Sequence, residues 1–421
     1  MSTKIGFVST RFSGTDGVTM EANKWADVLL ENGYEVFWFA GELNKDEEIC
    51  FTVPEAHFKD PTNQEINDQV FGKKSRSLYL TDKIQEIKGF LKLKLREFID
   101  RFQIDLLIVE NALTIPLQIP LGLALTETIV ERQIPSIAHH HDFYWERTRF
   151  LVNAVDDYIH MAFPPRLPSL EHVVINTAAQ EELAHRIGIA SIVIPNVLDF
   201  DHPPKANSTG SEVFKKSIGM TSGDLMILQP TRIVQRKGIE HAIEFVKQLN
   251  NPAYKLCISH EAGDEGFEYS EWIVQVAENM GVDLRIIQTG VDDPWNHKSG
   301  SQNRLSLWDI YPHADFITFP SLYEGFGNAF LEALYFKKPV LINRYAIFVR
   351  DIEPIGFELV VMDQFLTPKV IDKARLILED SGLRKELGER NYELARKHFS
   401  YRMLWKNLNF LLTRFFGLDH L

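Results

Sequence analysis

Short apolar runs alternate with longer amphipathic stretches along almost the whole chain, as strands alternate with helices in an α/β protein. Lys4-Ile5-Gly6-Phe7-Val8 opens the series as a strand. A helix from about Thr19 carries Trp25, Val28, Leu29 and Leu30 on its apolar face and stops at Asn32-Gly33, ahead of a strand over Tyr34 to Phe39. Residues 44–80 read as irregular. A helix from about Thr81 to Phe102 follows, with Ile84, Ile87, Leu91, Leu95, Phe98 and Phe102 near one face. Ile104 to Val109 is apolar almost throughout, as a parallel strand covered on both faces must be. A helix over Ile119 to Arg132, a strand from Pro135 to Asp142, and short strands at Val173 to Asn176 and Ile192 to Asn196 around a helix complete this half.

After Asp199 the segment Asp201-His202-Pro203-Pro204-Lys205-Ala206-Asn207-Ser208-Thr209-Gly210-Ser211 has the punctuation of a linker. A second series begins at Leu225 to Gln229 and continues with strands at Lys255 to Ser259, Leu284 to Gln288, Phe316 to Phe319 and Val340 to Asn343. A last amphipathic helix, Tyr401 to Phe416, carries Leu404, Leu408, Leu411, Leu412 and Phe415 and needs a surface to cover. The pattern predicts an α/β chain of two Rossmann-like domains, 1–200 and 213–395, joined by a linker at 201–212 and facing a cleft, with 396–421 as a terminal helix.

Composition narrows the function classes. A length of 421 residues exceeds one ordinary core, and 45% hydrophobic with 24% charged residues is the balance of a folded soluble protein. A net charge of −13 argues against a nucleic-acid binder. Cys50 and Cys257 are far apart and lack a CxxC spacing, so neither a disulfide framework nor a zinc site is expected, and a cytoplasmic setting is the simplest. The most apolar stretch, Leu113 to Val130, is broken by Pro116 and Pro120, so no membrane span is expected. Lys83, Lys88, Lys92, Lys94, Arg96 and Arg101 give the helix over 81–102 a basic face, which reads as a solvated surface packed on a sheet, with contact to an anionic membrane as the alternative.

The candidate chemistry gathers at predicted strand ends. Pro320-Ser321-Leu322-Tyr323-Glu324-Gly325-Phe326-Gly327 is a glycine-punctuated loop feeding a helix that starts at Asn328, and free backbone N–H groups at such a helix start suit a phosphate. Glu324 and Glu332 would repel a bare phosphate. They fit a ligand that also offers hydroxyls, hence one with both phosphate and sugar. Past the strand over Leu225 to Gln229, Arg232, Arg236 and Lys237 concentrate positive charge of the kind that holds a diphosphate. His139-His140-His141 ends another strand; alternation puts His139 and His141 on one face and His140 on the other. A metal there would need a third ligand from elsewhere. The Arg11 to Val18 loop is glycine-rich but lacks the GxGxxG fingerprint of a dinucleotide enzyme.

With these residues in place, the chain resembles the retaining GT-B-fold glycosyltransferases of the large group-one family, family four in sequence classifications. The resemblance rests on Asp16-Gly17-Val18, Ile194-Pro195-Asn196-Val197-Leu198-Asp199, Arg232 with Lys237-Gly238, and above all Pro320 to Gly327 leading to Glu332-Ala333. It implies a hexosyltransferase that takes a nucleoside-diphosphate sugar, UDP- or GDP-linked, and a hydroxylated acceptor. His141, Arg232, Lys237 and Glu324 would be the catalytic group. Gly17, Phe326, Gly327, Asn328 and Glu332 would hold the donor, with Glu332 on the ribose, and Asp16, Asn111 and Asp142 would line the acceptor side. The family needs no metal or other cofactor, and its last helix crosses back to the first domain. Asp16, Val197 and His260-Glu261-Ala262-Gly263 depart from the usual pattern. A nucleotide-sugar epimerase or phosphorylase of the same fold, and a binding module without turnover, are the competing readings.

Overall fold

The computed structural model describes residues 2–14, 16–203, 211–259, 267–287 and 307–417. The chain divides into two compact units, Met1–Pro195 with Leu404–Leu421, and Asn196–Met403. His260 to Gly263 and most of the predicted linker lie outside the described residues.

The first unit is built on seven parallel strands, β1 (Lys4–Val8), β2 (Glu35–Ala40), β3 (Cys50–Thr52), β4 (Leu106–Glu110), β5 (Ser136–His140), β6 (Leu170–Val174) and β7 (Ile192–Val193), in the order 3-2-1-4-5-6-7. The second has six, β8 (Leu225–Gln229), β9 (Tyr254–Ile258), β10 (Leu284–Ile286), β11 (Phe316–Phe319), β12 (Val340–Asn343) and β13 (Val360–Met362), in the order 10-9-8-11-12-13. Each is the doubly wound Rossmann order, so each sheet has a switch point where successive connections leave on opposite sides: between β1 and β4, and between β8 and β11. In open α/β sheets of this order, ligands bind at the carboxyl ends of the strands beside the switch point.

Residues 44–80 are not irregular. Cys50–Thr52 pairs with β2, and Pro61–Val70 is a helix with Asp60 as its cap and Pro61 at its first position. Only Asn63, Ile66 and Val70 of that helix are buried, too few to leave a 3.6-residue pattern in the sequence. The basic helix runs Leu78–Phe102, and most of its cations have carboxylate partners. Lys88 and Lys92 meet Glu127 at 2.7 and 2.6 Å, and Lys83 meets Glu65 at 2.5 Å. Its basic face is therefore largely an interlock with the helix Ile119–Arg132. Leu404, Leu408, Leu411 and Leu412 of the last helix are buried, and Arg414 reaches Glu171 of β6 at 2.8 Å. No helix among the described residues is long and apolar enough to cross a membrane.

Candidate active site

In the second unit, the loops after β8 and β11 close on each other at the switch point. Arg236 O accepts from Leu322 N at 2.9 Å, and the buried Gln229 side chain donates to Lys237 O at 3.1 Å. Gly238 lies where a Cβ would sit 2.5 Å from Pro320 O, at φ +61°. Both the left-handed backbone and the close approach require glycine there. Gly238→Ala should therefore destabilise the chain by about 1–3 kcal/mol and push the two loops apart; an unchanged melting temperature together with unchanged activity would contradict this.

That closure brings Lys237 and Glu324 into a direct ion pair, with Arg236 Nη1 3.3 Å from the other carboxylate oxygen. Lys237 and Glu324 keep only 12% and 10% of their side-chain exposure, enough to reach a ligand but not to be solvated freely. Burial lowers the Lys237 pKa; Glu324 opposes the shift, while Arg236 and Arg232 add to it. Arg232 is exposed and has no ion pair among the described residues. This cation cluster carries more positive charge than its one carboxylate compensates, the condition for holding an anion.

The helix Asn328–Tyr335 starts beside this cluster from Gly327, at φ +116°, with no side chain capping it. A Cβ on Gly327 would fall 2.7 Å from Tyr345 Oη, and that hydroxyl donates to Phe326 O at 2.7 Å. The Phe326 side chain is buried edge-on against Phe399 at 5.4 Å, so only its backbone is available to a ligand. Asn328 Oδ1 accepts from Asn196 Nδ2 at 2.6 Å. Glu332 is nearly buried, and one of its carboxylate oxygens accepts from Tyr311 Oη at 2.8 Å. Tyr311, Tyr345 and Asn196 are supporting residues that local sequence pattern did not single out as ligand groups; Asn196 was visible only as part of Ile194 to Asp199, whereas Arg236 was read with Arg232 and Lys237 from the charge past β8.

The first unit organises a second cluster around Glu110, the last residue of β4. Its carboxylate is fully buried and accepts from His139 Nδ1 at 3.0 Å and His141 Nε2 at 3.1 Å. Burial alone would raise its pKa, but the two imidazoles outweigh that and lower it to about 2. Burial lowers the His139 pKa more than Glu110 raises it, and the ring stacks on Trp25 at 4.2 Å. For His141 burial acts the same way, but the Glu110 hydrogen bond and charge prevail and raise its pKa. His140 points to the opposite face, as alternation predicts, and meets Thr114 Oγ1 and His172 Nδ1, the latter at 2.8 Å. Glu110, His139 and His141 offer three ligand atoms within 4.8 Å of one another, a set that could take a divalent metal. Two N–H···O bonds account for the same spacing.

Asn111, with the left-handed φ of +56°, ties this cluster to the acceptor-side residues. Its Oδ1 accepts from His141 N at 2.9 Å, and its Nδ2 donates to Asp142 Oδ1 at 3.2 Å. Asp16 caps the helix Gly17–Glu31: its carboxylate accepts from the backbone N–H of Val18 and Thr19 and pairs with Arg11 at 2.8 Å. The helix start at Gly17 thus already holds an anion from its own chain. His141, Asn111 and Asp142 are assembled at one strand edge; Asp16 is used in folding.

Residues 211–394 match the family model of glycosyl transferases, group 1. A mannosylglucosylglycerate synthase of Thermotoga maritima is 32% identical over 95% of this chain and 97% of its own length, and one of Petrotoga mobilis is 34% identical over 85% and 86%. The chain belongs to the group 1 glycosyl transferases. It is a hexosyltransferase, and its fold is the GT-B architecture. A Rickettsia africae glycosyltransferase superposes with a TM-score of 0.69 at 15% identity, covering 97% of both chains. Anabaena HepE, solved with UDP and glucose, superposes with a TM-score of 0.64 at 13% identity, covering 98% of this chain and all of that one.

Proposed function

We propose that this enzyme transfers a hexose, with retention of configuration, from a nucleoside-diphosphate sugar to a hydroxyl of an acidic glycoside. The names of the two synthases point to mannose as the transferred sugar and glucosylglycerate as the acceptor. The observation that carries the reading is the Lys237–Glu324 pair at the β8–β11 switch point, beside Arg232, which has no ion pair among the described residues, and a helix start with no side-chain cap.

Lys237 and Arg232 hold the diphosphate and neutralise the charge that grows on it as the sugar–phosphate bond breaks, which is where fixed positive charge contributes most to rate. Glu324 orients Lys237 and accepts from hydroxyls of the transferred sugar. Glu332, steadied by Tyr311, accepts from the ribose hydroxyls. His141, whose pKa Glu110 raises, donates an N–H to substrate oxygen. The acceptor hydroxyl attacks the oxocarbenium-like centre from the face the phosphate leaves, and the departing phosphate takes its proton. No metal and no second catalytic carboxylate enters this scheme, unlike a glycosidase.

The test is proton NMR of the product formed from GDP-mannose or UDP-mannose and glucosylglycerate, with and without EDTA. An α-linkage from an α donor, at a rate EDTA changes less than about twofold, is expected. An inverted anomer overturns retention, and loss of the rate with EDTA overturns metal independence. Return of an epimerised donor without transfer would favour the epimerase reading.

A further inference from the structure

The loop that follows His141 contains two arginines, of which one has a carboxylate partner. Arg147 grips Asp142 through both Nε and Nη2, the first bond at 2.7 Å. Asp142 is itself fixed by Asn111, and Asn111 holds the His141 backbone, so Arg147 is tied to the histidine by three consecutive hydrogen bonds. Arg149 lies two residues on. It is exposed, rests over the Phe150 ring at 4.5 Å, and has no ion pair among the described residues.

Stacked arginines are common on surfaces, but two features set this one apart. Its guanidinium lies within the field of Arg147 and Asp142, and burial followed by Arg147 lowers its pKa more than Asp142 restores it. Glu146, the other acid of the loop, accepts from Phe143 N at 2.9 Å and lies in the field of Arg147 rather than that of Arg149. Arg149 therefore presents a positive charge with no ion pair among the described residues, beside Arg147, which is hydrogen-bonded through Asp142 and Asn111 to the His141 backbone.

We propose that Arg149, with Arg147 as its anchored neighbour, is the subsite for the carboxylate of the acceptor. The assignment rests on the reading of the acceptor as an acidic glycoside. A carboxylate there completes a charge-matched set of two guanidinium groups and two carboxylates, and fork geometry makes arginine the natural partner for it. It also explains discrimination: a neutral glycoside leaves Arg149 unmatched.

The experiment compares glucosylglycerate with its methyl ester as acceptor, in wild-type enzyme and in Arg149→Gln, with donor KM measured alongside. The wild type should show an acceptor KM about 10- to 100-fold higher for the ester than for the acid, the range expected of a charge-assisted hydrogen bond. Arg149→Gln should raise KM for the acid by a similar factor while leaving KM for the ester and the donor unchanged. Equal KM for the acid in both proteins overturns the subsite, as does a rise in donor KM alone. A wild type that transfers to neither acceptor, while still releasing nucleoside diphosphate to another, overturns the acceptor reading itself.

Discussion

Lys237→Ala should lower kcat by about 10²- to 10³-fold, the loss seen when one preorganised group facing developing charge is removed. The reason is geometric. Lys237 is held at the switch point by Glu324 through its ammonium and by Gln229 through its carbonyl, so its charge is in place before the bond breaks. A lysine already aligned needs no reorganisation during reaction. The effect should fall on kcat more than on donor KM, because in the proposed function Arg232 remains to bind the ground-state diphosphate. Steady-state kinetics with the donor varied checks this; a change confined to KM would mean that Lys237 binds substrate and transition state equally.

Glu110→Gln should have the largest effect on stability. The native carboxylate is enclosed and matched by two imidazole N–H groups, and a Gln amide places a donor against one of them. Removing one partner of a buried charged set costs about 3–5 kcal/mol, a fall of about 6–20 °C in the melting temperature for a unit of this size. The folded pKa of Glu110 is about 2, below the ordinary 4.5, so its contribution is present above pH 4.5 and fades as the pH falls towards 2. The wild type should lose stability across that window and the variant should lose less. His141 runs the other way: its folded pKa is raised, so its contribution is complete below the ordinary 6.5 and is lost as the pH rises through the folded value. Without Glu110 that folded value drops, and the alkaline limb of the pH–rate profile should move to lower pH. A merely structural role for Glu110 would change the melting temperature and leave that limb in place.

The two series of strands were legible because buried parallel strands such as Leu106–Glu110 and Phe316–Phe319 are apolar on both faces. Strand ends were less so. β6 starts at Leu170 because Leu170 and His172 join the sheet, whereas the apolar run suggested Val173 to Asn176. β13 and the helix Ser381–Phe399 were missed; the helix is largely charged, with Gly388, Asn391 and Tyr392 among its few buried positions. The glutamates and the cations of the second unit were each readable from loops that precede helices. Their contact was not, since it depends on β8 lying beside β11, a fact of topology rather than of local pattern. Glu110 was overlooked for a related reason: in sequence it merely ends an apolar run, and only the pairing of β4 with β5 sets it under His139 and His141. Asp16, which the resemblance placed on the acceptor side, also caps the helix Gly17–Glu31, a role its loop sequence did not reveal.

The proposed function requires a nucleotide sugar in the β8–β11 crevice, its diphosphate departing against Lys237. The most direct measurement is nucleoside diphosphate release from a panel of UDP-, GDP- and ADP-sugars in the presence of glucosylglycerate, in wild type, Lys237→Ala and Glu324→Ala. Release by the wild type with one donor, cut by about 10²-fold or more in both variants, is the predicted result. Release at the wild-type rate in both variants would contradict it.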